Sequence, residues 1–256
     1  MKLLGIFTAT RWELNAVCQA VLVEKKTRVA GSRCVIGRRG NCRLYAFQTG
    51  VGAVKAGAVC RGALAHQPFD LAISSGFACA LTPSQIGDLL IGTDVIMQGD
   101  GAAASAQSGT LSCADLPRAA AIQAARDAGL AWQAGRFVTA SQVLWRADEK
   151  RQVAAATGAV GLDRESSAVG AAAAERQVPF AIVRAASDLL DEDLPLDFNL
   201  FLGSIGPVGL GRWLRGASLC LARPSCLAGL NRLRRQSATA SQRLTRFFER
   251  FLDDLG

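Results

Sequence analysis

The sequence predicts an α/β fold of three layers, α/β/α, with a central, mostly parallel mixed sheet and a helical C-terminal extension. Three observations predict it. Short apolar runs alternate with segments of helical periodicity from residue 2 to residue 188, the pattern of a sheet covered on both faces. Hydrophobic residues make up 50% of the chain and Gly residues number 26, enough to fill a core with close helix–sheet packing. After Pro207 the strand-like runs stop and helical spacing alone continues. Residues 1–206 therefore read as one domain and 207–256 as a basic helical extension.

Each element has a local reason. Lys2–Thr8 is mostly apolar and ends at a turn, so it reads as a strand. Leu14, Val17, Cys18 and Val21 recur at helical spacing and predict a helix over Arg11–Val23. Arg33–Gly37 and Arg43–Thr49 flank Arg39-Gly40-Asn41 as a hairpin. Gly50-Val51-Gly52 opens a helix over Ala53–Ala65. Phe69–Ser75 and Asp88–Met97 read as buried strands. Gly99–Asp115 is small and polar, which suits a loop or a lid. Leu116–Ala128 and Ala147–Ala156 read as helices, and Arg136–Ala140 and Ala159–Leu162 as strands. Glu165–Arg176 is a helix and Pro179–Ala186 a strand. The helical tail should break at Pro224 and near Ser237. Its last helix places Leu244, Phe247, Phe248, Phe251, Leu252 and Leu255 on one apolar stripe with arginines beside it.

Composition narrows the function. The net charge is +8, and nine arginines between Arg212 and Arg250 face one acid, Glu249. Such a block suits a polyanion, either a phospholipid surface or a nucleic acid. The block lacks interleaved aromatics, which argues against nucleic acid. Eight cysteines contain no C-x-x-C, and the single histidine is His66, so neither a metal nor a cofactor is expected. Spread cysteines read as reduced thiols of a cytoplasmic protein. His66 closes a helix and reads as a C-terminal cation or a surface residue. The apolar start, Leu3–Ala9, is too short for a signal peptide, and no segment suits a membrane span.

In open α/β sheets ligands sit at the carboxyl ends of strands. Four such ends carry polar groups: Glu13; Ser74-Ser75-Gly76-Phe77; Asp163-Arg164-Glu165-Ser166; and Ser187-Asp188. Glu13, Glu165 and Asp188 converging on one edge would suit acid–base chemistry. Each has a plainer reading. Asp188 suits a helix cap, Glu165 a helix dipole, and Glu13 a solvated first turn. Gly50-Val51-Gly52 lacks G-x-G-x-x-G and reads equally as a turn.

Five blocks in order resemble the purine nucleoside phosphorylase / methylthioadenosine–S-adenosylhomocysteine nucleosidase superfamily: Leu4–Leu14 (LGIFTATRWEL), Gln48–Ala56 (QTGVGAVKA), Asp70–Asp88 (DLAISSGFACALTPSQIGD), Gly161–Val169 (GLDRESSAV) and Val178–Asp188 (VPFAIVRAASD). The resemblance implies that fold and an enzyme that cleaves a purine N-glycosidic bond. It implies Asp188 as the acid at the leaving base and Glu13 as the carboxylate that activates water. It implies Glu165 at the ribose 2′-hydroxyl, with Ser75, Gly76, Phe77 and Ser187 around sugar and base. Arg164 stands where the family usually has Met, Phe77 where a small residue is usual, and Val143 near a position that often stacks an aromatic on the purine. Asp188 is then expected to hold a proton near neutral pH, through burial or a nearby acid such as Asp163. Phosphorolysis would take inorganic phosphate as co-substrate, with Arg11 and Lys55 as its cradle.

Leu221–Leu233 (LARPSCLAGLNRL), the basic tail and Ala140–Glu165 resemble the hopanoid-associated branch of the superfamily. That implies a lipid-linked substrate, adenosylhopane, and contact with the inner face of the membrane through the basic helices. The other readings are a methylthioadenosine/adenosylhomocysteine or futalosine-type nucleosidase and, from another class, a nucleic-acid-binding protein. The family also implies a homo-oligomer.

Overall fold

The computed structural model describes residues 1–98, 109–199 and 224–255. In order these form β1 (Lys2–Thr8), α1 (Arg11–Gln19), β2 (Leu22–Val29), β3 (Ser32–Arg39), β4 (Cys42–Gln48), α2 (Ala53–His66), β5 (Leu71–Ala80), β6 (Leu89–Met97), β7 (Leu111–Ser112) and α3 (Asp115–Asp127). Then come β8 (Trp132–Thr139), α4 (Ala147–Thr157), β9 (Gly161–Asp163), α5 (Ser166–Glu175), β10 (Phe180–Asp188) and α6 (Pro224–Leu255). The fold is α/β, with a central mixed sheet flanked by helices and a helical C-terminal segment.

β4, β1, β5 and β10 lie side by side and run parallel. β10 continues antiparallel into β6, β6 parallel into β8, β8 parallel into β9, and β9 returns antiparallel to β5. These five strands close a ring, and β3 and β2 extend β4 as an antiparallel wing. Ring closure positions the site. Cys79 near the end of β5 pairs with Leu162 of β9 on one side and Asp188 of β10 on the other. The chain after β9 and the end of β10 therefore flank one strand end.

The alternation of β1 explains the layers. Leu4 and Ile6 face a core shared with α1, α3 and α6, while Phe7 faces one shared with α2 and α5. α6 contributes most to the first core. Its Leu244, Phe247, Phe248, Phe251 and Leu252 are fully buried, and Phe247 stacks on Phe251 at 5.1 Å. The stripe, which the sequence left free either to meet a membrane or to pack on the domain, thus packs on the domain.

Several boundaries differ from expectation for physical reasons. The first helix stops at Gln19, and β2 occupies the residues assigned to its end. β2 is largely exposed and carries Glu24, Lys25 and Lys26, as edge strands do, so its apolar pattern is weak. α6 does not break at Ser237, because Ala240 and Leu244 carry the apolar face onward. The region of the loop at Gly99–Asp115 holds β7 at Leu111–Ser112, and residues 99–108 lie outside the described ones. So do residues 200–223, where the domain boundary at 206–207 and the first tail helices were expected.

Candidate active site

Each acid is placed by a specific local structure. Glu13 is the third residue of α1, and its position follows from a capping box. Its backbone N–H donates to Thr10 Oγ1, and its Oε2 accepts from Thr10 N at 2.6 Å. Its other oxygen, Oε1, accepts from Phe77 N at 2.7 Å. The carboxylate is 3% exposed and bridges α1 to β5. Gly76 makes that bridge sterically feasible. Its φ is +141°, and a Cβ there would collide with Glu13 Oε1.

Glu165 occupies the N-cap position of α5 rather than its interior. Its Oε1 accepts from Gly52 N at 2.8 Å, so the Gly50-Val51-Gly52 turn cradles a carboxylate of this chain. Oε2 lies 3.5 Å from Arg184 Nη2. Burial pushes Glu165 up to about 7; Asp163 and Glu13 push the same way, while Arg184 and the Gly52 N–H pull it down.

Arg184 carries no obvious sequence signal beyond being a lone arginine in a buried strand, yet it organises this end. It is 1% exposed. Its Nε lies 2.7 Å from Asp163 Oδ2, and it donates to Phe77 O at 3.0 Å and to Ser74 Oγ at 2.9 Å. Burial pulls its ionisation down, but the charges of Asp163, Glu165 and Glu13 hold it above the ordinary arginine value. Asp163 also accepts from Thr139 Oγ1 at 2.9 Å, from the N–H groups of Glu165 and Ser166 at 3.2 Å, and from the Ser166 hydroxyl. It is thus the anchor of the α5 N-terminus, committed to Arg184.

Asp188 is the last residue of β10, and its neighbour is not the expected acid. Its Oδ2 accepts from Lys150 Nζ at 2.9 Å and its Oδ1 from Ser187 Oγ at 3.2 Å. Lys150 lies in the charged run Ala147–Arg151, and nothing in that run singles it out as buried.

One cavity of about 230 Å³ gathers these groups. Glu13, Glu165, Asp188, Arg164, Phe77 and Val143 all line it. Arg164 donates to Ser141 O at 2.7 Å. Val143 is held by Asn199, whose side-chain amide makes two hydrogen bonds with the Val143 backbone, at 2.7 and 2.8 Å. Gly76, Ser75 and Ser187 are not among the lining residues. Ser75 is fully buried and donates to Val183 O at 2.8 Å, across to β10. Ser187 donates to Ala78 O at 3.5 Å as well as to Asp188. Arg11 lines a separate surface groove with Lys26, Arg28 and Arg33.

Residues 3–204 match the model of the phosphorylase superfamily. The chain belongs to that superfamily. It is accordingly an enzyme of the nucleosidase/nucleoside phosphorylase group. Solved structures share the fold at low identity. S-Adenosylhomocysteine nucleosidase from Streptococcus pyogenes, in complex with 5-methylthiotubericidin, is 19% identical with a TM-score of 0.76, over 100% of this chain and 98% of that one. 5′-Methylthioadenosine/S-adenosylhomocysteine nucleosidase from Neisseria meningitidis, in complex with methylthio-immucillin-A, is 18% identical with a TM-score of 0.72, over 97% and 99%. A futalosine hydrolase mutant from Helicobacter pylori is 17% identical with a TM-score of 0.69, over 83% and 97%.

Proposed function

We propose that this enzyme hydrolyses the N-glycosidic bond of a 5′-substituted purine nucleoside, of the methylthioadenosine/adenosylhomocysteine or futalosine type. The observation that carries the reading is the single cavity on which Glu13, Glu165 and Asp188 converge. Cleavage of C1′–N9 leaves positive charge on the ribose and sends the bond's electron pair to the purine. Glu165 accepts the ribose 2′-hydroxyl and favours the cation, Glu13 takes the proton of the attacking water, and Asp188 passes one proton to the purine. Water is favoured over phosphate as nucleophile, because Arg11 lines another groove and Lys55 is exposed at the start of α2. Val51, Phe77, Val143, Leu144 and Leu194 give the cavity apolar walls that suit a purine base.

Adenosylhopane is the narrower reading. The apolar stripe of α6 is buried and lends that reading no support. No helix among the described residues is long and apolar enough to cross a membrane. What still favours a lipid-linked substrate is the exposed arginine face of α6, including Arg234, Arg235, Arg243 and Arg246.

The test is adenine release from methylthioadenosine, and from adenosylhopane in detergent, by wild type and Asp188→Asn, with and without phosphate. Phosphate-independent release from methylthioadenosine that falls about 10²–10⁴-fold in the variant is expected. Release from adenosylhopane alone would move the assignment to the lipid substrate. Release from neither, with no base released from adenosylhomocysteine or futalosine, would remove it.

A further inference from the structure

The side chain of Lys150 on α4 is 0% exposed. An ammonium so buried costs several kcal/mol unless it is paired and its donors are satisfied. Nζ has three N–H groups and meets three acceptors: Asp188 Oδ2 at 2.9 Å, Leu189 O at 3.1 Å and Glu192 O at 2.9 Å. Its position is therefore fully determined, and it fixes in turn one oxygen of Asp188 and the chain that follows β10. That chain is tied down further. Leu194 N donates to Trp145 O at 2.8 Å, Asp193 accepts from Ala147 N at 2.7 Å, and Leu194 lines the cavity. The contact with Lys150 uses Asp188 as an anion, whereas the release step needs it as an acid.

We propose that Lys150 is a positioning residue for base release: it holds one oxygen of Asp188 in place and joins that residue to the wall formed by residues 189–194. This rests on the function proposed above. Asp188 takes one proton from solvent and passes it to the purine as C1′–N9 breaks, while Lys150 keeps its three. The ammonium opposes that uptake, so its removal should ease it.

Charged and titratable groups surround the pair on several elements. On β5, Cys79 is held well above the ordinary thiol value, by burial first and then by Asp188. In the segment after β10, Glu192 accepts from Gln236 of α6 at 2.9 Å, and Asp191 pairs with Arg151 of α4 at 2.7 Å. Across the cavity stand Glu13, Asp163, Arg164 and Glu165. Burial pulls the Lys150 ammonium down, and the charges led by Asp188 more than offset it.

The experiment follows the Asp188 side-chain carboxyl ¹³C signal, assigned with Asp188→Asn, against pH in wild type, Lys150→Met and Lys150→Arg. The pH profile of kcat/KM for methylthioadenosine is recorded beside it. In Lys150→Met the Asp188 midpoint and the alkaline limb of the profile should both move up by about 1–3 pH units, and Lys150→Arg should restore both. Unmoved midpoint and limb, with a lower Tm alone, would make Lys150 purely structural and overturn the proposal. If Lys150→Met does not fold, Lys150→Gln gives the same reading. If wild type releases no base, the proposed function fails, and the ¹³C titration still decides the role of Lys150.

Discussion

The two ends of the cavity are built by different means. At one end, Glu13 and Glu165 accept hydrogen bonds from the main-chain N–H groups of Thr10, Phe77 and Gly52, and the buried guanidinium of Arg184 lies behind them. At the other end, Asp188 is held by two side chains, the Lys150 ammonium and the Ser187 hydroxyl. Main-chain donors move only with the elements that carry them. Side-chain donors can be exchanged one at a time. The first end is thus placed by the fold, and the second is tuned by single residues. In the proposed reaction this separation has a use: the sugar must be held still while its charge develops, and the base must receive a proton at the right pH.

Among changes that leave the three acids in the sequence, the largest effect should come from disturbing the placed end through its backbone. Gly76→Ala puts a Cβ into Glu13 Oε1 at a residue whose φ is +141°. The strain costs about 1–3 kcal/mol, and the carboxylate must leave its Phe77 N–H. Displacement of a catalytic group by an ångström costs on the order of 10²-fold in rate. Denaturant unfolding and kcat for nucleoside release measure the two separately. A variant with wild-type kcat would show that Glu13 need not sit where β5 holds it.

The second effect comes from charge at the same end. Burial first, then Asp163 and Glu13, push Glu165 up to about 7 from an ordinary value of 4.5. The folded protein then keeps this proton over a range in which the unfolded chain loses it. The contribution to stability is complete below about 4.5 and is lost as pH rises through about 7. Unfolding free energy, measured in denaturant from pH 4.5 to 8, should fall over that window in wild type and fall less in Glu165→Gln. Equal slopes in the two proteins would place the titration elsewhere.

The three acids were legible in the sequence: Glu13, Glu165 and Asp188 each follow or end a strand-like run, and the carboxyl ends of such strands gather at one sheet edge. β1, the β3–β4 hairpin and β10 follow their apolar runs closely, since buried strands leave a strong pattern. Arg184 and Lys150 were not legible as partners. One sits in an apolar strand and the other in a charged helical turn, and only ring closure between β5, β10 and β9 brings acids to them. The fate of the α6 stripe was open for the same reason: a stripe shows that a face is apolar, not what covers it.

Thr10→Ala gives the smallest effect and the sharpest test of the contrast. Thr10 touches Glu13 twice, once through its hydroxyl, which caps α1, and once through its backbone N–H, which holds the carboxylate. The substitution removes the first contact and leaves the second. The lost cap should cost about 1 kcal/mol of stability. The carboxylate keeps both of its main-chain donors, Thr10 N and Phe77 N, so kcat should stay close to wild type. A drop in kcat comparable to that of Gly76→Ala would mean that the helix cap, and not the backbone amides, fixes Glu13, and the distinction between the two ends of the cavity would fall with it.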